Sequence, residues 1–157
     1  MSSEVTPSSY LFHRVWIDET VEVAAPLSEV QAALEDVRTW ADWTPGMRKL
    51  RISAEEPVHR GSSFWMLLKM HPLPPLWVPA VVYVLQRGHI EWGGGGLRSV
   101  IRHRFELTET KSGGTAVRHA EYATNLLAIV LLPFEKAFRA HDRRWSATIA
   151  ERFAAEG

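Results

Sequence analysis

The stretch VEVAAPLSEVQAALEDVRTWADWTP, residues 21–45, decides the reading of this chain. Its first residues close a strand: Val15, Ile17, Val21 and Val23 share one parity between His13 and Ala24, the period-2 pattern of a strand with one buried face. Pro26 then stands where a first helical residue tolerates a missing N–H, and Val30, Ala33, Leu34 and Val37 follow at i, i+3, i+4 and i+7. A short amphipathic helix is predicted there. Residues 38–43 add one more helical turn carrying Trp40 and Trp43, which Thr44-Pro45-Gly46 ends by pre-proline sterics and glycine freedom.

Downstream the period returns to that of strands. Residues 47–54 and 61–70 read as a hairpin, the prolines at 72, 74 and 75 force an extended loop, and residues 78–86 and 89–92 read as two more strands. Gly93 to Gly96 read as a turn or bulge; without a following Lys-Ser/Thr they do not read as a phosphate loop. Residues 96–109 and 115–124 form a last hairpin around Thr110-Lys111-Ser112-Gly113-Gly114, which brings the strand count to seven. From Phe134 the period changes to 3.6: Phe134, Ala137, Phe138, His141, Trp145, Ile149 and Phe153 mark the apolar side of a long helix. Glu135, Lys136, Arg139, Asp142, Arg143 and Glu151 read as its polar side, and Pro133 as its first turn or a kink. The expectation is an α+β domain in which this helix covers the concave face of an antiparallel sheet.

Composition narrows the partners. The 157 residues suit one domain, taken as residues 10–157 behind a disordered tail at 1–9. Lys and Arg number 18, as do Asp and Glu, so no global field draws nucleic acid, and none is expected as a partner. The longest apolar run, Leu126 to Leu132, is far short of the roughly 20 residues of a spanning helix, so stable membrane insertion is not expected. The absence of cysteine excludes disulfides and thiolate chemistry; with an N-terminus unlike a signal peptide, it points to a cytoplasmic protein. Seven tryptophans are more than a small core needs, and flat rings also line ligand cavities. No pattern fixes the oligomeric state.

Residues 21–45, the strand that Gly61 initiates, RHRFELTET at 102–110 and SGGTAVRHAEY at 112–122 together resemble the START-like (SRPBCC) superfamily, which includes polyketide cyclases and lipid-transport proteins. The resemblance runs from about residue 13 to residue 154. It implies the helix-grip fold: a seven-stranded antiparallel sheet wrapped around the long C-terminal helix, two short helices after the first strand, and an elongated cavity between sheet and helix. Members bind or carry lipids, sterols, hormones and polyketides, and some are aromatase/cyclases. The iron–sulfur Cys/His motif of the ring-hydroxylating members is absent here.

A hydrophobic, lipid- or polyketide-like small molecule is therefore the expected partner, with Trp65, Tyr83, Trp92, Phe105, His119, Phe138, His141 and Trp145 as ligand-contacting residues. Residues 126–132 and the proline-rich loop at 71–79 are expected at the mouth of the cavity; a protein partner would instead use residues 126–132 and 72–75 as an exposed apolar patch. The alternative activity is that of an aromatase/cyclase with His103, His119, Glu121 and His141 as candidate acid/base residues. On the last two strands His103 shares its face with Phe105 and Leu107, and His119 and Glu121 share theirs with Val117. A three-residue connection sets His103 opposite His119, and a five-residue one sets it opposite Glu121. Tyr83 and Tyr122 are further candidate hydroxyl donors, and Arg102, Arg104 and Arg118 fall on the opposite, solvent-facing parity; with the parity inverted, these arginines would line the cavity and the histidines would face outward. Two histidines and a carboxylate also match a non-haem iron donor set, but the resemblance offers no metal, and neither a metal nor another cofactor is expected.

Overall fold

The computed structural model describes residues 12–52, 57–96 and 99–154. The elements run β1 (His13–Val23), α1 (Leu27–Glu35), a 3-10 turn at Val37–Thr39, α2 (Trp40–Trp43), β2 (Met47–Ile52), β3 (Ser63–Leu68), β4 (Leu76–Gln86), β5 (His89–Gly96), β6 (Ser99–Glu109) and β7 (Thr115–Thr124). α3 (Asn125–Val130), a 3-10 turn at Leu132–Phe134 and α4 (Glu135–Arg152) complete the chain. The tail expected at 1–9 and the end of the strand predicted at 47–54 lie outside the described residues.

One antiparallel sheet orders its strands β1-β7-β6-β5-β4-β3-β2, so every neighbour after β1 is a hairpin partner and β1 closes against β7. α4 lies across the concave face, burying Ala137, Trp145 and Ile149, and α1 adds Leu27, Val30 and Leu34. This is the helix-grip arrangement. Leu27, Val30, Leu34, Trp145 and Ile149 join Phe64, Met66, Val82, Ile90, Trp92, Phe105, Leu107 and Val117 in one core. Among the described residues no helix is long and apolar enough to cross a membrane.

Three local readings are corrected by the structure. The glycines at 93–96 are not a turn: they are the second half of β5, with Gly93 opposite Arg102 and Gly96 opposite Ser99. A Cβ on Gly93 would stand 1.8 Å from the Ile101 carbonyl oxygen, so the strand approach itself requires glycine. β4 begins at Leu76, two residues before the predicted start at Val78, and carries Pro79 opposite Trp65, while the prolines at 72, 74 and 75 lie outside it as expected. In β1 the register shifts between Val15 and Ile17; this bulge exposes Val15 and buries Trp16. Trp16 then stacks on Phe138 with centroids 4.4 Å apart, in a second small core with Ala123 and Ala128.

Candidate functional site

The site is built where β5, β6 and β7 face α4. The five-residue connection sets the register, so His103 stands opposite Glu121, Phe105 opposite His119 and Trp92 opposite His103. Because strand residues alternate faces, this places Trp92, His103, Phe105, His119 and Glu121 together on the concave side. The rings form a layered wall: Trp92 on His103 at 5.0 Å and 7°, and Phe105 on His119 at 4.5 Å and 26°. Trp145 from α4 closes it, 5.5 Å from His103 and 5.7 Å from Phe105. Trp40 from α2 approaches Trp92 at 4.7 Å.

Through this wall runs a series of polar contacts. Ser146 Oγ lies 2.9 Å from His119 Nδ1, His119 Nε2 lies 3.4 Å from His103 Nδ1, and His103 Nε2 lies 2.7 Å from Glu121 Oε1. Two proton assignments satisfy all three pairs: either His119 Nδ1–H donates to Ser146, His103 Nδ1–H to His119 Nε2 and a protonated Glu121 to His103 Nε2, or the Ser146 hydroxyl donates to His119 Nδ1, His119 Nε2–H to His103 Nδ1 and His103 Nε2–H to the Glu121 carboxylate. Burial favours the first. It pushes the Glu121 carboxyl up to about 7 and holds His103 and His119 below the ordinary imidazole value, His119 further still because His103 and His141 lie close.

Asp142 completes the group. Burial raises its carboxyl well above the usual range, and the neighbouring Glu121 carboxyl raises it further. Two carboxylates cannot hydrogen-bond to each other unless one carries a proton; as carboxylates, Glu121 Oε2 and both Asp142 oxygens have no donor among the described residues. A ring nitrogen of each of His103 and His119 and a carboxylate oxygen of Asp142 all lie within 4.8 Å of one another, the one set among the described residues placed to hold a metal ion. His141 is buried with neither nitrogen partnered among the described residues, its ring driven down to about 4 by burial and by nearby His103 and Arg144. Its Nδ1 lies 3.5 Å from where Gly46 would carry a Cβ, and at φ +71° with the Lys69 carbonyl beside it, only glycine fits there.

The residues named from sequence divide accordingly. His103, His119, Glu121, His141, Trp92, Phe105 and Trp145 converge between sheet and helix. Trp65 does not: it is 48% exposed on the outer face, beside Trp77, whose ring carries the Arg51 guanidinium at 4.6 Å. Tyr83 also faces outward, under the Arg102 guanidinium at 3.3 Å. That face is ionic, with Glu91 accepting from Arg102 and Arg104, and Arg118 bridging Asp18 and Glu106. Phe138 belongs to the second core with Trp16. Asp142, assigned by sequence to the polar side of α4, is fully buried. The wheel held the signal: Phe138, Asp142, Trp145 and Ile149 follow at i, i+4, i+7 and i+11, and Ser146 stands one turn beyond Asp142.

No protein-family model and no curated protein matches the sequence. Solved structures do match the fold. A START superfamily protein from Mycobacterium smegmatis superposes with a TM-score of 0.68 at 16% identity, over 87% of this chain and 95% of that one. The Streptomyces aromatase/cyclase Zhui gives 0.71 at 15% identity, over 90% and 93% of the two chains. A truncated norcoclaurine synthase from Thalictrum flavum gives 0.68 at 15% identity, over 93% and 96%. The strand order, the gripped C-terminal helix and these superpositions together give the chain the START-like (SRPBCC) helix-grip fold.

Proposed function

We propose that this protein binds a hydrophobic small molecule carrying polar oxygen or nitrogen groups between the sheet and α4. One observation carries the reading: the polar atoms left without partners are concentrated at this place. The indole N–H groups of Trp40, Trp92 and Trp145 and both His141 nitrogens are buried there with no hydrogen-bond partner among the described residues. Natural interiors rarely leave such groups unpaired, because each costs about 1–3 kcal/mol. A flat ligand with a few polar atoms supplies partners for them, and the surrounding rings suit its apolar body. Likeness in fold to an aromatase/cyclase and a norcoclaurine synthase agrees with a ring-bearing ligand.

Entry is proposed at one end of the sheet. The antiparallel order brings the starts of β2, β4 and β6 and the ends of β3, β5 and β7 to the same end, where α3 also begins. Leu126, Ile129, Val130, Leu132 and Phe134 are exposed around α3, and Leu76 and Trp77 are exposed at the start of β4. Native mass spectrometry of freshly purified protein tests the reading: a retained apolar compound of low mass is expected. The bare chain mass, with no change in tryptophan fluorescence on titration with naphthol- or flavone-type compounds, would defeat it.

The second reading is acid/base catalysis on such a ligand, of the aromatase/cyclase kind. It is favoured by the 2.7 Å contact between His103 and Glu121, which sets a donor and an acceptor side by side in a water-poor interior. Turnover of a poly-β-keto substrate, abolished by His103→Phe with binding retained, distinguishes it from simple carriage.

A further inference from the structure

We infer that His103 Nδ1, His119 Nε2 and the Asp142 carboxylate bind one divalent first-row transition-metal ion, with Glu121 and Ser146 orienting the two imidazoles. The inference stands on the geometry of these side chains and does not rest on the ligand-binding reading.

The distance between the two imidazoles is the first reason. At 3.4 Å, His103 Nδ1 and His119 Nε2 are farther apart than a good nitrogen-donated hydrogen bond, which falls at about 2.7–3.2 Å. Two nitrogens bound to one tetrahedral ion at about 2.0–2.1 Å stand roughly 3.3 Å apart, which is the separation found. The opposite ring nitrogens give the second reason. Histidines that ligate a metal offer the other nitrogen to a carboxylate or other polar group, which fixes the ring and raises its basicity. Here His103 Nε2 meets Glu121 Oε1 at 2.7 Å and His119 Nδ1 meets Ser146 Oγ at 2.9 Å. The remaining nitrogens, His103 Nδ1 and His119 Nε2, face each other.

Charge is the third reason. The Asp142 and Glu121 side chains are both buried, and neither has a Lys or Arg within ion-pair distance among the described residues. A dication between them and the imidazoles supplies the missing positive charge. Asp142 needs only a modest closure, since its oxygen already lies within 4.8 Å of a nitrogen on each ring. Two imidazoles and a carboxylate, with no thiolate in the chain, select zinc, iron(II) or cobalt(II) over calcium and magnesium. Three protein ligands also leave a coordination position free, as in sites where a metal meets a bound molecule.

The test uses the whole protein, stripped with chelator, then titrated with Co2+ and separately with Zn2+. Expected are one equivalent retained through gel filtration, tetrahedral ligand-field bands for Co2+ in the visible, and a raised Tm on saturation. Asp142→Asn and His119→Gln should each lower affinity at least tenfold, Ser146→Ala should lower it about tenfold through loss of the outer partner, and His59→Ala and His71→Ala should leave it unchanged. Failure of the wild-type protein to retain Co2+ or Zn2+ would overturn the inference, whatever the variants do. So would undiminished binding by folded H119Q and D142N, which would put the ion on other histidines. Retention by the wild-type protein that holds no small-molecule passenger would support the metal while leaving the ligand reading to fail on its own.

Discussion

The hydroxyl of Ser146 meets Nδ1 of His119 at 2.9 Å, so the long helix and the last strand are joined by a hydrogen bond between two fully buried side chains. Ser146→Ala leaves one imidazole nitrogen without its partner and nothing to replace it. The expected cost is about 1–3 kcal/mol of stability, the range for an orphaned buried polar group. Urea denaturation checks it, and an unchanged midpoint would remove the tether.

Trp145 and Trp65 separate the two faces of the sheet. Trp145 is buried against His103, Phe105 and Trp92, whereas Trp65 is half-exposed on the outer face. Trp145→Ala should cost about 3–5 kcal/mol, and Trp65→Ala should leave ligand affinity unchanged with a far smaller effect on stability. A loss of affinity in W65A would mean that the ligand sits on the outer face.

Glycines 93 and 96 give a graded pair in one strand. Gly93→Ala drives a methyl into the Ile101 carbonyl, while a Cβ at Gly96 meets nothing within 4 Å. The first change should cost about 3 kcal/mol or more and the second less than about 1 kcal/mol, because overpacking against backbone cannot be relieved by a rotamer change. Thermal melts of the two variants decide; equal effects would argue against the pairing of β5 with β6 along its whole length.

On the outer face, both oxygens of Asp18 accept from Arg118 at 2.8 Å. The hydrogen bonds from Arg118 hold this carboxyl below its ordinary value of 3.8 despite some burial. A depressed carboxyl contributes stability that is complete above the unfolded-state pKa and is lost as pH falls through the folded-state value. The pair is largely exposed, so its contribution is below about 1 kcal/mol. Asp18→Asn should therefore lower Tm slightly at pH 7 and not at pH 2; a difference that persists undiminished in acid would exclude the ion pair as its cause.

α3 and residues 71–79 are proposed as the mouth of the ligand site. Hydrogen exchange should be faster in both than in the centre of α4, and should slow when a ligand is bound. Identical exchange with and without saturating ligand would assign entry elsewhere.

The fold was legible because its signals are periodic and long. The parity of β6 and β7 put His103, His119 and Glu121 on one face, and the apolar stripe of α4 needed no tertiary information. What could not be read locally depends on contacts between elements. Gly93 is glycine because the neighbouring strand comes close, which no window around residue 93 reveals. Trp16 is buried because a bulge shifts the register, and the alternation of valines around it gave no sign of the extra residue. Asp142 was read as a solvent-facing charge because aspartate is rarely buried, although its place on the wheel lay between Phe138 and Trp145. Trp65 and Tyr83 failed for a simpler reason: an aromatic ring does not announce which face of a sheet it occupies.

The pairing of His13 with Thr124 has a consequence for how the chain reaches this structure. Strands β2 to β7 can zip as successive hairpins as they emerge during synthesis, but β1, made first, has its partner made last. Until β7 is complete, β1 has no ladder and the edge of the growing sheet is uncovered, and α4, which roofs the concave face, comes later still. Such long-range closure places the domain among slow folders, in the millisecond-to-second range. It also leaves the apolar concave face open to other chains until α4 has been made.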